Sequence, residues 1–167
     1  MKKGVLFVFV LIMTALTLSS CGRKQDGTVV AVDFQAETWG RFDYIDATYN
    51  VKKAPMTADL VLFVTVSDVF PSIYPYYDNN DKLSICLSIS SPDGTGRNRE
   101  YQFRLKDKDG NFKSEKIDGY YNFELPLISG MSFSEPGDYT FRIENKYPKD
   151  PLYGIKSLTI KCLQSKN

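Results

Sequence analysis

Pro136-Gly137-Asp138-Tyr139-Thr140-Phe141-Arg142-Ile143-Glu144 is the stretch on which the fold turns. Pro-Gly is a turn signal, and behind it Tyr139, Phe141 and Ile143 alternate with Asp138, Thr140, Arg142 and Glu144. Successive side chains of a strand point to opposite faces, so the three apolar residues share a buried face and the polar ones a solvated face. A turn feeding a strand whose early tyrosine faces inward recurs at the corners of β-sandwiches. Such a strand cannot bury its apolar face alone and needs a second sheet to cover it.

Upstream, Arg99-Glu100-Tyr101-Gln102-Phe103-Arg104-Leu105 repeats the pattern, with Tyr101, Phe103 and Leu105 inward. Leu83-Ser84-Ile85-Cys86-Leu87-Ser88-Ile89 puts its aliphatic residues on one face and Cys86 on the other, then stops at the turn signal Ser91-Pro92-Asp93-Gly94. Asp59-Leu60-Val61-Leu62-Phe63-Val64-Thr65-Val66-Ser67 is β-branched and nearly continuous in apolar residues, as expected of a strand covered on both faces or at the sheet centre. Val29-Val30-Ala31-Val32-Asp33-Phe34, Tyr49-Asn50-Val51-Lys52-Lys53 and Tyr120-Tyr121-Asn122-Phe123-Glu124-Leu125-Pro126-Leu127 read as further strands. Asp107-Lys108-Asp109-Gly110-Asn111 turns the chain, and Gly154-Ile155-Lys156-Ser157-Leu158-Thr159-Ile160-Lys161 closes the domain, with Leu158, Ile160 and Cys162 toward the core. No window beyond the N-terminal region holds a helical period over three turns. Roughly eight short strands with frequent turns define an all-β fold, an antiparallel β-sandwich of jelly-roll or immunoglobulin-like type in preference to a barrel.

The N-terminus has a different character. Lys2 and Lys3 precede an uncharged apolar run, residues 5–18, which ends at Leu18-Ser19-Ser20-Cys21. The run is shorter than the roughly 18–20 residues that span hydrocarbon, and Arg23-Lys24-Gln25-Asp26 follows at once, so it reads as a cleaved signal. Leu18-Ser19-Ser20-Cys21 has the form of a lipobox: small residues let a peptidase reach the backbone, and the Cys21 sulfur carries the lipid. Each buried methylene contributes roughly 0.8 kcal/mol, so two or more acyl chains anchor stably where one is marginal. The expected organisation is a lipoprotein signal peptide at 1–20, a lipidated tether at 21–28 and one β-sandwich domain at 29–163. Cell-envelope localisation follows, and Gly22 rather than Asp after the cysteine favours the outer membrane.

Removing residues 1–20 takes away two lysines and no acid, leaving a net charge of −1, so nothing points to nucleic acid. The chain has no histidine, which excludes Ser-His-Asp, Cys-His and His-based zinc chemistry within it. Any enzyme reading would rest on carboxylates, and no pair of them stands out for glycoside hydrolysis. Once Cys21 is lipidated, Cys86 and Cys162 remain, and their opposite facings argue against a bridge.

Three local constellations invite a binding reading. Asp107, Asp109, Asn111 and Asp118 share spacing with calcium-loop ligands, but Phe112 stands where glycine is required, and a hairpin turn explains the same residues. Asp78, Asn79, Asn80 and Asp81 offer oxygen ligands in a row, which a solvated loop explains equally. Neither points to a bound metal or cofactor. Trp39, Tyr74, Tyr76 and Tyr77 form the third set, a possible aromatic platform for a sugar or a partner protein, against the alternative that Trp39 fills the core and the tyrosines cover its rim.

The whole arrangement resembles the gliding-motility lipoproteins of the GldH family. The resemblance rests on the lipobox at Cys21, Trp39 with Phe42 after the first strand, Tyr49-Asn50-Val51, and Tyr74-Pro75-Tyr76-Tyr77-Asp78-Asn79 before a strand. It continues through Asp107-Lys108-Asp109-Gly110, Phe133 with Pro136 to Ile143, and the terminal Leu152-Tyr153-Gly154-Ile155-Lys156-Ser157-Leu158-Thr159-Ile160. It implies an accessory, non-enzymatic part of an envelope machine that works by binding other envelope proteins. The rival expectation is a carbohydrate-binding surface lipoprotein that uses the tyrosine-rich segment.

Overall fold

In the computed structural model, residues 27–70 and 82–164 are described. They form the strands β1 (Thr28–Asp33), β2 (Thr38–Trp39), β3 (Ile45–Val51), β4 (Met56–Val66), β5 (Lys82–Ser90), β6 (Gly96–Arg104), β7 (Lys116–Ile117), β8 (Tyr120–Phe133), β9 (Gly137–Asn145), β10 (Leu152–Tyr153) and β11 (Ile155–Gln164). A single 3-10 turn, Gln35–Glu37, follows β1. Two antiparallel sheets face each other, one in the order β1-β11-β4-β8-β7 and the other β3-β9-β5-β6, with β10 and β2 forming a short ribbon at one end. The expected antiparallel β-sandwich is therefore what the chain forms.

The order of the eight long strands decides between the two expected topologies. The first pairs with the last (β1 with β11), the second with the seventh (β3 with β9), the third with the sixth (β4 with β8) and the fourth with the fifth (β5 with β6). The chain is thus one long antiparallel hairpin whose tip is the β5–β6 turn. Rolling it up brings β11 against β4 and β9 against β5, closing the two sheets. That is a jelly roll, not an immunoglobulin arrangement.

The core lies between the sheets and follows the alternation read from the sequence. Tyr139, Phe141 and Ile143 of β9, Leu83, Ile85, Leu87 and Ile89 of β5, and Leu158, Ile160 and Cys162 of β11 are all buried. β4 sits in the middle of its sheet, with Leu60, Leu62 and Val66 fully buried on the inner face. Phe133 of β8 bridges the sheets, edge-on to Tyr139 (4.9 Å between centroids) and 6.1 Å from Tyr49 of β3. At the corner before β9, the Tyr139 hydroxyl donates to the Glu135 carbonyl (3.2 Å), as the inward tyrosine after a turn anticipates. Cys86 and Cys162 are both unbridged. Cys162 lies in the core, where burial pushes its thiol up to about 12. Cys86 is on the opposite face of its strand, donating to Asn98 Oδ1 (3.0 Å).

Strand direction divides the connections between two ends. One end carries residue 27, where the chain enters β1, with the connections 52–55, 91–95 and 134–136, each three to five residues long. The other end carries the connections 34–44, 105–119 and 146–154, each nine residues or longer, together with residues 67–70 after β4 and the start of β5. The N-terminal segment joins the fold at the first end, where Gly27 lies against β11 and the Cys162 amide donates to its carbonyl (2.7 Å). We call this the proximal end and the other the distal end.

Candidate functional site

The long connections of the distal end are fixed to one another by residues far apart in sequence. Trp39 is fully buried, its indole N–H donating to the Asp43 carbonyl (2.8 Å) and its ring 5.3 Å from Phe34. The Trp39 carbonyl accepts from the Asn145 side-chain amide (2.9 Å), whose oxygen in turn accepts from the Tyr147 amide (2.8 Å). A buried amide group with its partners satisfied specifies one arrangement of this loop pair. Arg41 completes the clasp: its amide donates to Asp150 (2.7 Å) and its guanidinium to the Pro148 carbonyl (2.7 Å).

A second clasp joins the other two connections. Glu37 accepts from the Ser67 hydroxyl (2.7 Å) and the Tyr120 hydroxyl (2.8 Å), and these bonds hold its carboxyl below the usual carboxylate range. Asp68 is held down chiefly by Lys116, with which it forms an ion pair, and also accepts from the Tyr121 hydroxyl (3.1 Å). Phe70 is fully buried over Gly154, whose positive φ (+75°) and absent Cβ allow the Phe70 backbone to approach.

With its loops fixed in this way, the distal end presents apolar side chains to solvent. The large hydrophobic residues exposed among the described residues are Phe42 (74% exposed), Tyr44, Val69, Ile117 (58%) and Tyr153. All five belong to distal connections. Exposed apolar residues scattered over a surface need no explanation, but their confinement to one end does.

From Phe42 and Tyr44 a depression continues down the outer face of the four-stranded sheet. Its upper part (380 Å³) is lined by Arg41, Phe42, Tyr44, Lys146 and Pro148, and its lower part (610 Å³) by Asp46, Thr48, Ser88, Ser90, Thr140 and Arg142. Glu144 borders both. Strand register places Asp46, Arg142, Ser88 and Asn98 in one row across the sheet and Thr48, Thr140 and Ser90 in the next. Arg142 donates from Nε and Nη2 to the two Asp46 oxygens (2.7 and 3.0 Å) and lies 5.3 Å from the Tyr44 ring centre. This bidentate pair holds the Asp46 carboxyl below its ordinary value. Asn98 donates to the Ser88 hydroxyl (3.1 Å).

Of the residues singled out in the sequence, Trp39 requires a correction. It is not part of an exposed platform: at 0% exposure it is a core residue that fixes two loops. Tyr74, Tyr76 and Tyr77, the acidic-amide run 78–81 and Cys21 lie outside the described residues. Asp107 accepts from the Asp109 and Asn111 amides (both 2.9 Å) and so serves the turn that the sequence anticipates. Phe42, Tyr44 and Arg142 are the surface residues that sequence reasoning did not single out. The outward position of Arg142 was legible from alternation, but its pairing with Asp46, 96 residues away, was not.

Comparison with known proteins bears on this architecture. Curated proteins give no match to the sequence. Among solved structures, a family 35 carbohydrate-binding module from Clostridium thermocellum is similar at 10% identity and a TM-score of 0.32, over 80% of this chain and 99% of that one. Xyl-CBM35 in complex with a glucuronic acid containing disaccharide gives 10% identity and 0.34, over 87% and 96%. Both likenesses are too distant to bear on ligand or chemistry. The family model described as GldH lipoprotein matches residues 30–162, which span the sandwich from within β1 to within β11. The chain belongs to the GldH lipoprotein family, the gliding-motility-associated lipoproteins, and is a lipid-anchored protein of the cell envelope.

Proposed function

We propose that the protein is a non-catalytic accessory component of an envelope assembly of the gliding-motility or secretion type, anchored at the outer membrane through acyl chains on Cys21, and that its distal end engages the partner. The observation carrying this reading is the opposition of the two ends. The chain leaves the fold toward Cys21 at the proximal end, while the exposed hydrophobic residues gather at the distal one. Five residues separate Cys21 from Gly27, six Cα–Cα steps with a reach of about 20 Å at full extension, so the proximal end stays near the membrane and the distal end projects away from it. Phe70 and Lys82, which flank residues 71–81 in sequence, stand at the distal end, and we propose that Tyr74, Tyr76 and Tyr77 contribute to the same contact.

The titratable groups support a binding role over catalysis. The carboxyls whose ionisation shifts among the described residues, Glu37, Asp46, Asp68, Asp93 and Asp107, all shift downward, and hydrogen bonds to neighbouring groups lead the causes in each. A general acid of the glycoside-hydrolase kind needs the opposite shift.

The test is co-purification from gently solubilised envelopes of the source bacterium. Wild-type protein is expected to bring down other envelope proteins in fixed proportion. The Val69→Asp/Ile117→Asp variant should keep its membrane attachment and lose them, and Cys21→Ala should lose attachment and lipid label together. Recovery of the same proteins by the doubly charged variant would refute the distal assignment, and lipid label on Cys21→Ala would refute the anchor.

A further inference from the structure

We infer that the depression on the outer face of the four-stranded sheet, from Phe42 and Tyr44 downward, is a binding site for a neutral oligosaccharide, and that the protein contact proposed for the distal end is made by its other exposed residues, Val69 and Ile117. On the sheet face itself the charged side chains are already paired, Asp46 with Arg142 (2.7 Å) and Glu144 with Lys146 (2.9 Å), while at the upper end the Arg41 guanidinium donates to the Pro148 carbonyl (2.7 Å). The sheet-face part therefore offers neither a phosphate-rich nor a strongly cationic ligand an uncompensated charge. An apolar peptide is equally ill matched, because the side chains between the ion pairs are Thr48, Ser88, Ser90 and Thr140. Ala47 packs against the core and Phe141 is buried within it, so they line the depression without offering an apolar side chain.

What the floor does offer is a grid of hydroxyl, amide and charge-paired groups that both donate and accept. Arg142 spends two of its five N–H groups on Asp46, and three remain as donors held in a fixed plane. Asp46 retains lone pairs beside them. A guanidinium and a carboxylate held side by side meet the paired, adjacent hydroxyls of a sugar ring with donor and acceptor together. The strand rise of about 3.4 Å per residue puts the Glu144, Arg142 and Thr140 rows about 7 Å apart, giving a track about 14 Å long that suits an extended chain. At its upper end stand Phe42, the most exposed of the large hydrophobic residues among those described, and Tyr44, which is about half exposed and has the Arg142 guanidinium 5.3 Å from its ring centre. Aromatic surface with open solvent on it stacks on the C–H face of a sugar, which a polar floor alone cannot hold. The volume, 610 Å³ continuing into 380 Å³, lies in the range of ligand sites.

The experiment is titration of the folded, lipid-free chain with soluble neutral oligosaccharides (gluco-, manno-, xylo- and N-acetylglucosamine oligomers), followed by calorimetry and by amide shifts in heteronuclear NMR. At least one oligomer should bind and shift amides of β3, β9 and β5 around Asp46, Arg142 and Ser88. Tyr44→Ala and Arg142→Gln should each weaken that binding by about tenfold or more, with an unchanged far-ultraviolet spectrum, while Thr159→Ala on the other sheet leaves it intact. Val69→Asp/Ile117→Asp should also leave it intact, which separates failure of this site from failure of the protein contact. Binding to none of the oligomers, or equal binding by wild type and Arg142→Gln, would overturn the proposal. So would loss of an envelope protein from Arg142→Gln pull-downs without glycan binding, since the face would then belong to a protein.

Discussion

The two ends of this jelly roll are built on different principles. At two of the proximal connections the turn satisfies itself: Asp93 accepts from the Thr95 amide (2.9 Å) and hydroxyl (2.8 Å), and Tyr139 bonds the carbonyl four residues before it. At the distal end, beside local bonds such as those of Asp107, others span the chain, from Glu37 to Tyr120, Asn145 to Trp39, and Arg41 to Asp150, 83, 106 and 109 residues apart. Local turn chemistry is enough to reverse a strand. Displaying a surface takes cross-links between loops that the sheets alone do not order, so the distal end holds its shape through a few anchors that can be removed singly.

The largest effect expected from that difference is at Trp39. Trp39→Ala removes a fully buried indole and should cost about 3–5 kcal/mol in chemical denaturation. Hydrogen exchange should show the amides of 34–44 and 146–154 losing protection first, while those of 91–95 and 134–136 keep theirs. Uniform loss of protection would mean that the two ends are not independent.

A smaller effect is expected at the proximal corner. Tyr139→Phe leaves the ring packed on Phe133 and removes only the hydroxyl bonding to Glu135, so the unfolding free energy should drop by about 1 kcal/mol with no change at the distal end. A change in distal amide protection would contradict the self-contained turn.

The smallest effect is with pH. Glu37 and Asp68 have folded-state values below their unfolded ones. Their contribution is therefore complete above about pH 4, where the unfolded groups titrate, and is lost as pH falls through the lower folded values. Proton exchange monitored between pH 5 and pH 2 should show residues 34–44 and 67–70 loosening ahead of the strands. Glu37→Gln should flatten that dependence.

The sandwich was legible because its signals are local. Alternation at Tyr139, Phe141 and Ile143 and at Leu83 to Ile89 names the buried face without knowledge of the partner strand, and so places Cys86 and Cys162 on opposite sides. The choice between jelly roll and immunoglobulin order was not legible, since it depends on β1 finding β11 across the whole chain. β8 continues to Phe133, past Leu127, through Gly130 with its positive φ (+64°) and irregular pairing with β4, and a period-two reading breaks at such a point. Trp39 shows the limit for sites: composition marks a lone tryptophan as notable, but only the fold tells that it is buried. Phe42, three residues on, is the exposed aromatic.

The central claim is that the molecule stands on its lipid with the distal loops outward. A photo-reactive amino acid placed at Val69 or Ile117, and separately at Lys52 or Glu135, can test this in intact cells of the source bacterium. The account predicts discrete protein adducts from the two distal positions and none from the two proximal ones. Protein adducts formed at Lys52 and Glu135 but not at Val69 and Ile117 would contradict it.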